Sequence, residues 1–177
     1  MKVFSESYKG EKPEGAKVVK SYSFHVQGPV EEDASLDLPT HRGVYFGFKF
    51  DKKNPLHFTE LFYVGRAIKD NTLNKRVREH YTQKDLKYRE TGKAVDMSNV
   101  AFQYLDLDNY TDAQISDIEY AFIFKYKPSA NTPGVNHYAG DEAPLKITIS
   151  GFKFADDLDI PKSFLITEKD KEAENDV

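Results

Sequence analysis

Six side chains in this sequence could act together on a phosphodiester if the fold gathered them: Tyr45, Tyr63, Arg76, His80, Glu119 and Asn131. They supply two phenols, a guanidinium, an imidazole, a carboxylate and an amide, the groups that phosphodiester hydrolysis with one divalent metal would need. A guanidinium can grip two phosphate oxygens and neutralise charge developing at phosphorus. An imidazole can position the phosphate or accept a proton from a nucleophile or a tyrosine. A phenol near a metal and an arginine can hold the attacking water, or act as the base if its pKa falls. Each residue alone has a plainer reading. Tyrosines on neighbouring strands usually just pack, and an Arg and a His four residues apart are common on the outside of an amphipathic helix.

The elements that must position these groups can be read from pattern. The tyrosines lie in two tyrosine-glycine runs, Gly43-Val44-Tyr45 and Tyr63-Val64-Gly65. Residues 42–50 (RGVYFGFKF) and 58–65 (FTELFYVG) are rich in β-branched and aromatic residues and read as strands. The short Asn54-Pro55 connection makes them antiparallel neighbours. Gly43 and Gly65 mark places where a side chain would block the close approach of backbone or ligand. Asn71 or Thr72 can cap a helix to about Tyr81 or beyond. Leu73, Val77 and Tyr81 then recur at i, i+4 and i+8 and face the core. Arg76 and His80 share a flanking stripe of that helix and point the same way.

Residues 83–98 are polar and read as a mobile loop, and 99–107 alternate as a strand. Thr111-Asp-Ala-Gln114 is a capping-box pattern that starts a second helix, which Lys127-Pro128 ends near Tyr126. On that helix Glu119 has Ile115, Phe122 and Ile123 at i−4, i+3 and i+4. A carboxylate among such neighbours costs several kcal/mol, roughly, unless it is paired or metal-bound. A bond to a buried Tyr or Arg is the alternative to a metal. Residues 16–26 and 145–149 read as further strands, 27–40 as a loop, and 129–144 as a Pro/Asn/Gly-rich loop. The resulting order, β-β-β-α-β-α-β, predicts an α+β fold with a small central, mainly antiparallel sheet flanked by helices.

The 177 residues fit one domain, with thirteen Phe and eleven Tyr to fill its core. With no Cys, disulfides, thiolate zinc sites and a cysteine nucleophile are excluded. The absence of Cys suits a cytoplasmic protein. Residues 1–15 hold no apolar h-region, so no signal peptide is expected, and no apolar run is long enough for a membrane helix. Net charge is −4 overall, yet residues 66–93 carry nine Lys/Arg against four Asp/Glu, a net +5 that leaves −9 elsewhere. One basic stripe on an acidic body fits a local anion-binding face. A salt-bridged, solvent-facing helix fits the same charges. Residues 168–177 hold five acids and two lysines and read as a solvated tail.

Taken together, the two tripeptides, Arg76, His80, Glu119 and the asparagine in Lys127-Pro-Ser-Ala-Asn131 resemble the GIY-YIG nuclease superfamily. The stretch YVGRAIKDNTLNKRVREHY looks much like the corresponding part of homing endonucleases and of the bacterial excision-repair incision subunit. The resemblance covers roughly residues 41–137. It implies a GIY-YIG-like nuclease domain over 41–166, an N-terminal extension packed on it over 1–40, and an acidic disordered tail over 167–177. It also implies hydrolysis of DNA, with RNA as the alternative, using a single Mg²⁺ or Mn²⁺ held by Glu119. In that scheme Tyr45 and Tyr63 orient the water and one deprotonates it. Arg76 stabilises the pentacovalent phosphate, His80 assists proton transfer and Asn131 braces the site. Arg66, Lys69, Lys75 and Arg78 would contact the nucleic acid. The chain departs from the family pattern: valine replaces isoleucine in both tripeptides, the interval from Gly65 to Arg76 is longer, residues 1–40 and the C-terminal strand fall outside the shared core, no separate DNA-binding domain is expected, and Asn136 rivals Asn131. A catalytically inactive module of the same fold, binding nucleic acid or a protein, is the competing expectation. The chain is expected to work as a monomer or homodimer, away from membranes.

Overall fold

The computed structural model describes residues 4–5, 18–30, 37–132, 136–151, 158 and 160–172. Of the expectations above, extension residues 1–3 and 6–17 (with the strand start at 16–17), loop residues 31–36 and 133–135, and tail residues 173–177 lie outside them. The fold is α+β. Its strands are β1 (Phe4–Ser5), β2 (Val18–His25), β3 (Gln27–Val30), β4 (Gly43–Asp51), β5 (Asn54–Ala67), β6 (Val100–Asp106), β7 (Leu145–Ser150) and β8 (Ser163–Ile166), with helices α1 (Leu73–Gln83) and α2 (Asp112–Tyr126).

The main sheet is antiparallel throughout, in the order β3-β6-β4-β5. Its centre is β4, whose residues are buried on both faces. Val44, Phe46 and Phe48 point to one side, with Val64 and Leu105. Tyr45 points to the other, with Phe102. α1 covers the Tyr45 side through Leu73, Val77 and Tyr81, the spacing expected of its apolar stripe. α2 covers the Phe46 side. The Phe122 ring lies 4.9 Å from Phe46 and 5.7 Å from Phe164 of β8, so this helix packs on both sheets at once.

The second sheet, β1-β2-β7-β8, is the main departure from the expected single sheet. β2 runs parallel to β7 in full register from Lys20–Leu145 to His25–Ser150, and β8 pairs antiparallel with β7. Residues 18–30 thus supply one strand to each sheet, β2 to the second and β3 to the main one. β3 forms where a loop is expected, because Gly28-Pro29 read as breakers. It survives as the outermost strand of the main sheet, where a proline's missing N–H costs no ladder bond. The expected disorder of 167–172 is also corrected. Thr167 caps a short 3₁₀ turn, Glu168–Lys171, and the Tyr138 N–H donates to the Asp170 carbonyl at 2.5 Å.

Both helix starts follow their capping residues. The Thr72 hydroxyl accepts from the Lys75 N–H at 3.3 Å. The Thr111 hydroxyl accepts from the Gln114 N–H at 3.2 Å, and the Gln114 side chain accepts from the Thr111 N–H at 3.0 Å, a complete capping box. Among the described residues no helix is long and apolar enough to cross a membrane.

Candidate active site

The tyrosine-glycine runs lie side by side in a reciprocal register. Tyr45 of β4 is opposite Gly65 of β5, and Gly47 of β4 is opposite Tyr63. Each ring thus lies across a glycine, and the two ring centroids come to 6.1 Å. Gly65 leaves open the space these two rings occupy. A Cβ there would sit 2.6 Å from the Tyr45 phenol and 2.7 Å from the Tyr63 ring. Next to Tyr63 the register slips, so that Leu61 pairs with Phe48 and Phe62 is left as an extra residue on β5. Such a bulge bends the strand and re-aims its side chains. It also turns the Phe62 carbonyl to the Ala130 N–H, which donates to it at 2.8 Å.

Asn131 completes that attachment. Its Oδ1 accepts from the Val64 N–H at 2.8 Å and its Nδ2 donates to the Val64 carbonyl at 2.7 Å. The amide acts as one more strand rung on the outer edge of β5, beside Tyr63. Arg89 holds the same loop, donating from its backbone N–H to the Ser129 carbonyl at 2.8 Å and from Nη1 to the Asn131 carbonyl at 3.2 Å. The rival asparagine, Asn136, is exposed and does not line the cleft.

Beside this edge opens a cleft of about 660 Å³. Tyr45, Tyr63, Arg76, Glu119 and Asn131 all line it, with Arg66 and Lys69 at its wall. The residues come from both faces of the main sheet: Arg76 from α1, Glu119 from α2, the tyrosines from the strands between. They can meet because β5 is the sheet's last strand, and a cleft at its edge is open to both sides. Lys75 and Arg78 are exposed on the outer surface of α1, where they border a separate shallow depression with Asn74, Glu79 and Thr82.

His80 is set apart from the cleft. It lies within the apolar stripe of α1, 1% exposed, its ring 5.3 Å from Tyr63 and 5.7 Å from Tyr45. Its Nε2 is 2.9 Å from the Tyr45 hydroxyl and its Nδ1 is 2.8 Å from Asp85 Oδ1. Sequence reasoning missed Asp85. It stands five residues after His80, beyond helical reach, in a stretch read as a mobile loop. Lys84 ends α1 in the left-handed conformation, φ 51°, with its N–H bonded back to the His80 carbonyl, and this reversal brings Asp85 to the imidazole.

Burial dominates the electrostatics. It pushes the Tyr63 phenol up to about 12, with Glu119 adding to the rise and Arg76 opposing it. Burial and then Tyr63 hold the Tyr45 phenol well above its ordinary range, again against Arg76. Both phenols therefore keep their protons near neutrality. Burial lowers the His80 imidazole despite the pull of Asp85, so the ring is neutral. The Glu119 carboxyl, 8% exposed, is pushed by burial up to about 7 against the influence of Arg66 and Arg76. Arg66 bonds Glu119 directly and stacks its guanidinium 5.1 Å from the Tyr120 ring centroid. Arg66 is therefore the partner that a buried carboxylate on α2 requires, a role distinct from nucleic-acid contact.

Among the described residues no group of three or more His, Cys, Asp or Glu could enclose a metal. A closed protein cage is not what a hard cation needs here. Mg²⁺ keeps several waters and binds through one or two carboxylates plus substrate phosphates. A single buried carboxylate facing an open cleft suits that chemistry, provided Arg66 yields its place on Glu119. No family model matches the chain, and neither a curated protein nor a solved structure matches it.

Proposed function

We propose that this protein is a metal-dependent endonuclease that hydrolyses DNA phosphodiester bonds through a GIY-YIG-type site. The observation that carries the reading is the convergence of Tyr45, Tyr63, Arg76, Glu119 and Asn131 on one cleft at the edge of the main sheet. Five residues spread over 87 positions of sequence meet there, and each is of a type the reaction uses. Arg76 grips the scissile phosphate and stabilises its developing charge. The Tyr45 and Tyr63 hydroxyls orient the attacking water. Asn131 fixes the edge of β5 so that Tyr63 keeps its aim. Glu119 would hold a single Mg²⁺ or Mn²⁺, which when bound supplies Lewis-acid stabilisation of the leaving 3′ oxygen. Lys69 on the cleft wall, and Lys75 and Arg78 beyond it, offer cations to the flanking phosphates.

The test is cleavage of linear, flap and branched DNA by purified protein with Mg²⁺ or Mn²⁺. The expected result is cutting that a chelator stops and that Glu119→Ala loses. Intact substrates under every condition, or a Glu119→Ala variant as active as wild type, would sink the proposal.

The pairing of Glu119 with Arg66 favours a second reading, a module of the same fold that binds nucleic acid without cutting it. Arg66 already matches the Glu119 carboxylate, and both phenols keep their protons. DNA binding with a steep salt dependence, and no Mn²⁺ binding at Glu119, would support this alternative.

A further inference from the structure

We infer that Asp85 is a positioning residue that sets the tautomer of His80 and thereby the direction in which Tyr45 presents its hydroxyl to the cleft. This deepens the nuclease reading and rests on it for its catalytic consequence. The inference stands on three observations: the Tyr45 hydroxyl 2.9 Å from His80 Nε2, His80 Nδ1 2.8 Å from Asp85, and an imidazole 1% exposed with both nitrogens committed.

The direction follows from hydrogen-bond inventory. A carboxylate can only accept, so the proton on the neutral His80 ring belongs on Nδ1, donated to Asp85. Nε2 then carries the lone pair and can only accept. The Tyr45 O–H must donate to it, and the phenol oxygen is left as an acceptor on its cleft side, where the Arg76 guanidinium already bonds it and an attacking water would lie beside Arg76. In the opposite tautomer Nε2 would donate to Tyr45, the phenol proton would turn to the cleft, and Tyr45 could no longer accept a proton from water. The same chain defines where a proton goes. As water gives its proton to the Tyr45 oxygen, the phenol's own proton passes to His80 Nε2, and the imidazolium formed is stabilised by Asp85. This is a general arrangement for an activated oxygen: a base within hydrogen-bond reach, held by a third group. Asp85 is 44% exposed, so the chain that starts at the fully buried Tyr45 ends in water. That gives a proton from the cleft an exit through the back of α1 and the Lys84 turn.

The test reads His80 directly, by ¹⁵N NMR of the two imidazole nitrogens in the full chain without metal or DNA. The expected result is Nδ1 protonated and Nε2 unprotonated in wild type, a shift toward the other tautomer in Asp85→Ala, and recovery in Asp85→Glu. Thermal melts of both variants check that the fold is kept. Nε2 protonated in wild type, or one unchanged tautomer in wild type and Asp85→Ala, overturns the inference. The consequence for catalysis is a roughly ten- to hundredfold lower kcat with KM unchanged in Asp85→Ala, by analogy with the range for removing the hydrogen-bond partner of a metal-ligating histidine, partly restored in Asp85→Glu. A wild-type protein that cuts no DNA overturns the nuclease reading and leaves the tautomer result standing by itself.

Discussion

His80 on α1 and Glu119 on α2 are both buried ionisable side chains, and the fold satisfies them in opposite ways. α1 carries a single apolar stripe, and His80 sits in it among Tyr45, Tyr63 and Phe102. The imidazole is accommodated by becoming neutral and bonding at both nitrogens. α2 is buried on most of its circumference because it packs on two sheets, and Glu119 has no such option. A carboxylate there is either protonated or matched by a positive charge, and Arg66 supplies that charge. The α1 wall of the cleft is therefore fixed by geometry, whereas the α2 wall is poised by charge. On the proposed reading, a divalent cation would act on the second wall and a proton transfer on the first.

The sharpest way to break this contrast is to remove the charge of the α2 wall. Glu119→Ala is expected to lower DNA cleavage on the order of 10²- to 10³-fold, the scale of losing one electrostatic element of a reaction site. A parallel titration should show Mn²⁺ no longer binding. In wild type, Mn²⁺ affinity should fall as pH drops below about 7, because the proton then competes for Glu119.

Asn131→Ala tests the brace shared by both walls. It leaves the N–H and carbonyl of buried Val64 without partners. Urea unfolding should show a loss of about 1–3 kcal/mol. A variant as stable as wild type would mean that the loop holds its place through Ala130 and Arg89 alone.

Stability against pH should separate the walls by sign. Glu119 is raised in the folded state to about 7 from an ordinary 4.5. Its contribution is therefore complete below pH 4.5 and is lost as pH rises through 7. His80 is lowered in the folded state from an ordinary 6.5. Its contribution is complete above pH 6.5 and is lost as pH falls through the depressed value. Chemical denaturation at stepped pH should show Glu119→Gln flattening the first slope and His80→Gln flattening the second. The same slope changed by both variants would show that the two groups titrate as one unit.

The smallest effects are expected outside the cleft. Lys75→Ala and Arg78→Ala each should reduce the slope of log affinity for DNA against log salt by about 1, weakening all sequences alike. Slopes identical to wild type would confine the nucleic-acid contact to the cleft itself.

Local signals served the helices well. Thr72 and Thr111 cap them, the Leu73, Val77, Tyr81 stripe faces inward, and Lys127-Pro128 ends α2, because these depend on neighbours within a turn or two. The strands β4, β5 and β6 were legible in the same way. β3 and β8 were not. Each is four residues long, and β3 contains Gly28-Pro29, so only its place at a sheet edge makes it a strand.

The sequence by itself determined which chemical groups are present and what each could do. It also placed the anomaly at Glu119, a carboxylate flanked by Ile115, Phe122 and Ile123 that costs free energy unless paired. Only the tertiary structure decided who answers that charge, because Arg66 reaches Glu119 across 53 positions through the pairing of β5 with α2. It likewise decided that His80 faces Tyr45 and not the cleft, and that Asp85 returns to it through one left-handed residue. Helical periodicity reports direction from an axis, and cannot report what a neighbouring strand presents or where the chain goes once the helix ends.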